Sequence, residues 1–160
     1  MKISIHADTV PVEQYLVRLA RRMRDMRPVM NAIGEIIVAS VRRNFRESRA
    51  PDGTPWKPVK RKGRPLVDSG RLRNSVGYLA GHDRVEVGTG VVYASFHQFG
   101  TGPYTIRPRR KKALYWPGAA HPVKQVNHPG LPARPFLMVQ DEDWTEIRDA
   151  MLEYLMRLGS

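Results

Sequence analysis

YASFHQFGTG, residues 93–102, followed about thirty residues later by ARPFL, residues 133–137, is the part of the chain from which the rest is read. The first stretch interleaves aromatic and small residues around His97 and Gln98. It ends on Gly100 and Gly102, residues that tolerate backbone angles closed to others. In the second, Pro135 holds the preceding Arg134 extended. Phe136 and Leu137 then enter the interior, so ARPFL reads as the start of a buried strand. Arg134 is expected to pair with a carboxylate, either of the same chain or of a neighbour. Neither stretch carries catalytic equipment.

Upstream, residues 2–7 (KISIHA) alternate as a strand. Asp8 and Thr9 precede Pro11, a helix-start pattern, and Val12, Leu16, Leu19, Ala20 and Met23 follow at helical spacing. Pro28 opens a second helix to about Glu47, with Val29, Ile33, Ile36 or Ile37, Val41 and Phe45 on one face. Between residues 51 and 135 lie eleven of the 13 prolines, which excludes long helices there. Asp68 or Ser69 is positioned to cap a short helix through Leu72, and residues 75–79 and 84–89 form a hairpin about the turn at 81–83. Residues 93–99 fit a helical turn or an irregular strand, and 113–116 and 135–139 are further strand candidates. Asp141 caps a final helix whose stripe is Trp144, Ile147, Met151, Leu155 and Leu158. The expected class is α+β: a small, mostly antiparallel sheet packed by N-terminal helices and a C-terminal helix, in one domain over 1–160. Residues 101–132 are too long and too rich in proline and glycine for an ordinary connection. They read as a flexible arm, extended as a hairpin through ALYW and VKQV and ordered by a neighbouring subunit.

The chain has 160 residues, no cysteine, and 27 Lys and Arg against 15 acids, a formal charge of +12. The absence of cysteine excludes disulfides and thiolate chemistry. No apolar run reaches the roughly 18 residues of a membrane span, so no membrane partner is expected. The charge points to polyanions or to an acidic protein face. It concentrates in two clusters. Residues 42–64 hold nine cations, among them Arg42, Arg43, Arg46, Lys60, Arg61, Lys62 and Arg64, against Glu47 and Asp52. Arg107, Arg109, Arg110, Lys111 and Lys112 form the second. Each cluster is either a contact surface for DNA or an acidic neighbour, or a solvated face.

Histidine chemistry has little local support. No acid occurs from Val87 to Val139, so His97 lacks a nearby carboxylate and reads as a residue that satisfies backbone groups at a turn. His121 and His128 do not match zinc-ligand spacing, and no cofactor is expected. No phosphate-binding GxxxxGK[ST], GxSxG elbow or HExxH occurs. In PDGTPWKP, residues 51–58, Pro51, Asp52 and Gly53 make a turn. Trp56, set between prolines, either anchors the loop inside the domain or serves as an exposed interface anchor.

PDGTPWKP, LVDSGRLRNSV (residues 66–76), YASFHQFGTG and ARPFL occur in that order. Together they resemble the phage virion morphogenesis family, the tail completion proteins of contractile-tailed and related phages, over about residues 32–139. The matching positions are Asp52, Gly53, Trp56, Asp68, Gly70, Leu72, Tyr93, His97, Gln98, Gly100, Arg134, Pro135 and Phe136. The resemblance implies a structural assembly protein without catalytic turnover, acting in tail completion and head–tail joining. It implies a homo-oligomeric ring at the neck, often six-fold in such proteins and so a hexamer, beside a tail terminator or tail tube and a head connector. Packaged DNA would pass through without base-specific contact. The protein would occupy the host cytoplasm during assembly and then the tail or neck of the virion. The rival readings are a sequence-independent nucleic-acid-binding protein and an enzyme with an unfamiliar site.

Overall fold

The computed structural model describes residues 9–59 and 61–157. The strand expected at 2–7, the cap at Asp8, the candidate contact Lys60 and the stripe residue Leu158 lie outside them. The described residues form α1 (Val10–Met23), α2 (Arg27–Glu47), α3 (Arg71–Asn74), β1 (Val76–Ala80), β2 (Val85–Thr89), α4 (Ala94–Phe99), β3 (Tyr104–Ile106), β4 (Val126–His128) and α5 (Asp141–Met156). The class is α+β. Its sheet component is two separate antiparallel hairpins, β1–β2 and β3–β4. Among the described residues, those up to Arg43, Val76–Thr89 and those from Val139 make one compact unit; those of Asn44–Ser75 and Gly90–Met138 make another.

In the first unit the expected stripe of α2 is buried through Val29, Ile33, Ile37, Val38 and Val41. A fully buried aliphatic side chain of this kind stabilises by about 1.5–3 kcal/mol. Tyr78 of β1 sits opposite Val87 of β2, and its ring lies against α2 at Gly34. A Cβ built on Gly34 would stand 2.3 Å from the ring, so only glycine permits this approach. Gln140, not Asp141, takes the N-cap of α5. Its extended backbone lets its N–H donate to Asp143 Oδ2 at 2.9 Å, and its side-chain amide donates to Ser40 Oγ. Asp143 is fully buried, with Arg43 Nη2 3.6 Å from its Oδ1. This capping geometry turns Asp143 and Ile147 inward. Trp144, one residue round the helix, is 60% exposed and leaves the expected stripe. Helix α1 buries none of its residues: Val12, Leu16 and Met23 are exposed, and Arg22 instead caps the carbonyl of Tyr154 on α5.

The second unit is built around aromatic rings. Phe45 packs against Trp56 at 5.6 Å, edge to face, and against Phe136 at 5.2 Å. Ser48, at φ 56, ends α2. The PDGT turn follows: Gly53 N–H reaches Ala50 O, Ala50 N–H reaches Thr54 O, and Thr54 N–H reaches Asp52 Oδ1 at 2.9 Å. These bonds from Thr54 hold the Asp52 carboxyl below its ordinary pKa. Gly70, at φ 78, stands at the N-cap of α3 where Asp68 or Ser69 was expected. Ser69 Oγ accepts only a long bond from Arg71 N–H, at 3.4 Å.

Residues 94–99 resolve as helix, the first of the two readings. The strands expected at 113–116 and 135–139 do not form; Leu114 makes a single bridge to Val123. Residues 101–131 form a hairpin closed at its base by Thr101 and Leu131 and continued by β3 and β4. Between its paired positions, residues 107–113 face only 124–125, so the second basic cluster bulges out of the ladder. Gly100, at φ 72, allows this base to close: its Cβ would lie 2.7 Å from Ala133 N and Leu131 O. Gly102 has open space and no such need.

Replacing a helical glycine by alanine ordinarily stabilises by about 1 kcal/mol. Gly34→Ala is expected to do the opposite, lowering stability in urea titrations by about 1–3 kcal/mol through overpacking against Tyr78. The loss should shrink in a Tyr78→Ser background.

Candidate functional site

Apart from Val76, the sequence landmarks lie in the second unit; residues 51–58 and 93–102 bond to ARPFL, and residues 66–72 share a cavity with its Arg134. ARPFL has no strand beside it, yet its buried backbone groups must be bonded. Side chains do this. Gln98 Oε1 accepts from Phe136 N–H at 3.0 Å and from Leu137 N–H at 3.1 Å, while Gln98 Nε2 donates to Leu137 O at 3.0 Å. Trp56 Nε1 donates to Pro135 O at 2.8 Å, and Asn44 Nδ2 reaches Phe136 O at 3.5 Å. Arg134 N–H donates to His97 O at 2.7 Å. Helix α4 exists to present these groups: it carries His97 and Gln98 on consecutive positions, the carbonyl of one and the amide of the other meeting successive residues of ARPFL. Trp56 is 6% exposed and anchors its loop internally.

Of the two pairings open to Arg134, the one within the chain is absent: it meets no carboxylate among the described residues. It is 6% exposed, and its guanidinium donates to Lys57 O at 3.0 Å and Pro58 O at 3.3 Å. The carbonyls are freed for this because prolines interrupt any regular pairing of that loop. Burial pulls the Arg134 pKa below the usual arginine range. The imidazole of His97 does not satisfy backbone groups; only its carbonyl is bonded, while Nδ1 is buried without a partner among the described residues. Burial first, and the Arg134 charge second, hold His97 below its ordinary pKa of 6.5. Tyr93 meets its ring edge to face at 5.8 Å.

Beside this node is a cavity of about 380 Å³, lined by Asp68, Gly70, Leu72, Tyr93, His97 and Arg134 together with Arg61, Arg71, Ser69 and apolar neighbours. Asp68 is the carboxylate there, and it lies 3.7 Å from Arg61, with no bond to His97. The pair therefore lacks the nucleophile–base–acid geometry of hydrolytic sites. No group of three or more acids, histidines or cysteines among the described residues is placed to hold a metal ion.

The basic clusters divide. Arg42, Arg46, Lys62 and Arg64 are exposed, but Arg43 is tied to Asp143, and Arg64 donates to Arg46 O at 3.2 Å. Arg61 donates to the carbonyls of Lys62, Arg64 and Val67, folding its own loop. Arg107, Arg109, Arg110, Lys111 and Lys112 are all exposed on the hairpin bulge. Sequence reading missed Asn44 and Arg71. Asn44 is a polar residue three positions after Val41 on an apolar stripe, a signal that could have found it. Arg71 lies inside a landmark among other arginines, and nothing in the sequence separates it from them.

Residues 7–156 match the model of the phage virion morphogenesis family. Mu-like prophage FluMu G protein 2 of Haemophilus influenzae is 31% identical over 144 residues, which cover 89% of this chain and 88% of the relative. No solved structure matches the chain.

Gln98→Ala should leave two N–H groups and one carbonyl of ARPFL unpaired and cost about 3 kcal/mol in chemical denaturation. Ser95→Ala, on the same helix at an exposed position, should change stability by less than about 0.5 kcal/mol.

Proposed function

We propose that this chain, which belongs to the phage virion morphogenesis family, completes the phage tail and joins it to the head as a homo-oligomeric ring at the neck. It works by surface complementarity and turns over no substrate. The observation that carries this reading is the hairpin at residues 101–131. Tyr104, Ile106, Tyr115 and Trp116 are exposed on it, beside the five cations of its bulge. Exposed aromatic side chains flanked by cations are what interface hot spots are made from. The landmarks, by contrast, put Trp56, Gln98 and Phe136 into holding the second unit together. A hairpin of this composition is fitted to lie on a neighbouring copy, with the ring in turn docking on a tail terminator or tail tube and on a head connector. Exposed cations facing a conduit would meet packaged DNA through phosphates, without reading bases. No helix of the described residues is long and apolar enough to cross a membrane.

The formal charge of +12 favours a second reading, a sequence-independent nucleic-acid-binding protein. Native mass spectrometry separates the two. The protein, mixed with the tail-tube protein of its own phage, should give a discrete multimer, and the variant Tyr115→Ser/Trp116→Ser should shift it to monomer. A monomer under all conditions, with micromolar or tighter duplex binding and a steep salt dependence, would support the second reading instead.

A further inference from the structure

The cavity beside ARPFL has a charge balance that its own residues do not close. Three guanidiniums line it, from Arg61, Arg71 and Arg134, against the single carboxylate of Asp68. Arg61 takes Asp68 at 3.7 Å and turns Nη1 and Nη2 to the loop carbonyls of Lys62, Arg64 and Val67. Arg71 has no ion pair and no side-chain hydrogen bond among the described residues. Arg134 is buried and bonded only to two neutral carbonyls. A buried guanidinium without a counter-charge is costly, and a carboxylate brought to it gains charge-assisted, often bidentate bonds. The remaining wall combines the apolar Val59, Leu66 and Leu72 with Ser69, Gly70, Tyr93 and His97.

We propose that this cavity is an acceptor site for an acidic side chain, aspartate or glutamate, presented by a partner protein, with Arg71 at its mouth and Arg134 at its floor. The depth of Arg134 decides between anion sources. A duplex phosphate sits on a stiff, wide backbone and cannot follow an arginine buried to 6% exposure. A carboxylate on a flexible stem can, and its methylenes suit the apolar wall. The site's chemistry does not depend on which virion junction the chain occupies, and it is separate from the basic bulge of the hairpin.

The test uses the full chain and a capped pentaglutamate peptide, with pentaglutamine as the neutral control. Nuclear magnetic resonance should show the Arg134 Nε–H and His97 ring signals shifting with pentaglutamate and not with pentaglutamine. Arg71→Ala, an exposed position, should weaken pentaglutamate binding about tenfold, the loss of one bond between charged groups. Arg110→Ala removes the same charge from the hairpin bulge and should weaken it less than twofold. Equal losses in the two variants, or no shift at Arg134, would show diffuse attraction to a basic surface and overturn the site. Shifts of the same signals by a short DNA duplex, lost in Arg71→Ala, would overturn the choice of a protein ligand.

Discussion

A buried backbone without a neighbouring strand must still have every N–H and C=O bonded, and that constraint organises the second unit. Pro135 removes one donor from ARPFL, and the backbone groups from Arg134 N–H and Pro135 O through both groups of Phe136 and Leu137 are met by the side-chain amides of Gln98 and Asn44, one indole and one helical carbonyl. Gln98 does the work of a strand edge with a single side chain, since an amide can accept and donate at once. A carboxylate in its place has no donor and could not present that pattern. Trp56 then links this polar fastening to the apolar one: its ring packs on Phe45 while its N–H holds Pro135.

Helices were the legible part of the chain. Val29, Ile33, Ile37, Val41 and Phe45 announce α2 by spacing alone, and all five are buried. The hairpin β1–β2 was equally open to reading, since RVEV alternates beside a Gly-His-Asp turn. What spacing could not supply was the partner of each backbone. PFLMV is apolar enough for a strand, and only the folded chain reveals that a glutamine side chain takes the neighbour's place. The same limit applies to α5. Its stripe was drawn through Trp144 because that residue is large and apolar, whereas the buried pair Gln140 and Asp143 turned the helix by one position. For the candidate site, the landmark residues were found from sequence but their grouping was not. His97 drew attention as an imidazole, while the acid that shares its cavity, Asp68, comes from a loop some thirty residues upstream.

The landmarks fasten the second unit through Trp56, Gln98 and Phe136, and recognition falls to two features beside these fastenings. The hairpin bulge puts five cations and several aromatic side chains where a neighbour can reach them. The arginine-lined cavity is of a different kind, because its charge is recessed and selects for a ligand on a stem. One chain thus offers a broad contact and a narrow one, which suits a part that must fit against more than one neighbour.

Amide hydrogen exchange at Phe136 and Leu137 tests the central claim most directly. Both amides lie outside any sheet or helix, so secondary structure gives them no protection. If Gln98 holds them, they exchange as slowly as the core amides of α2. Exchange at the rate of an open loop would contradict the account.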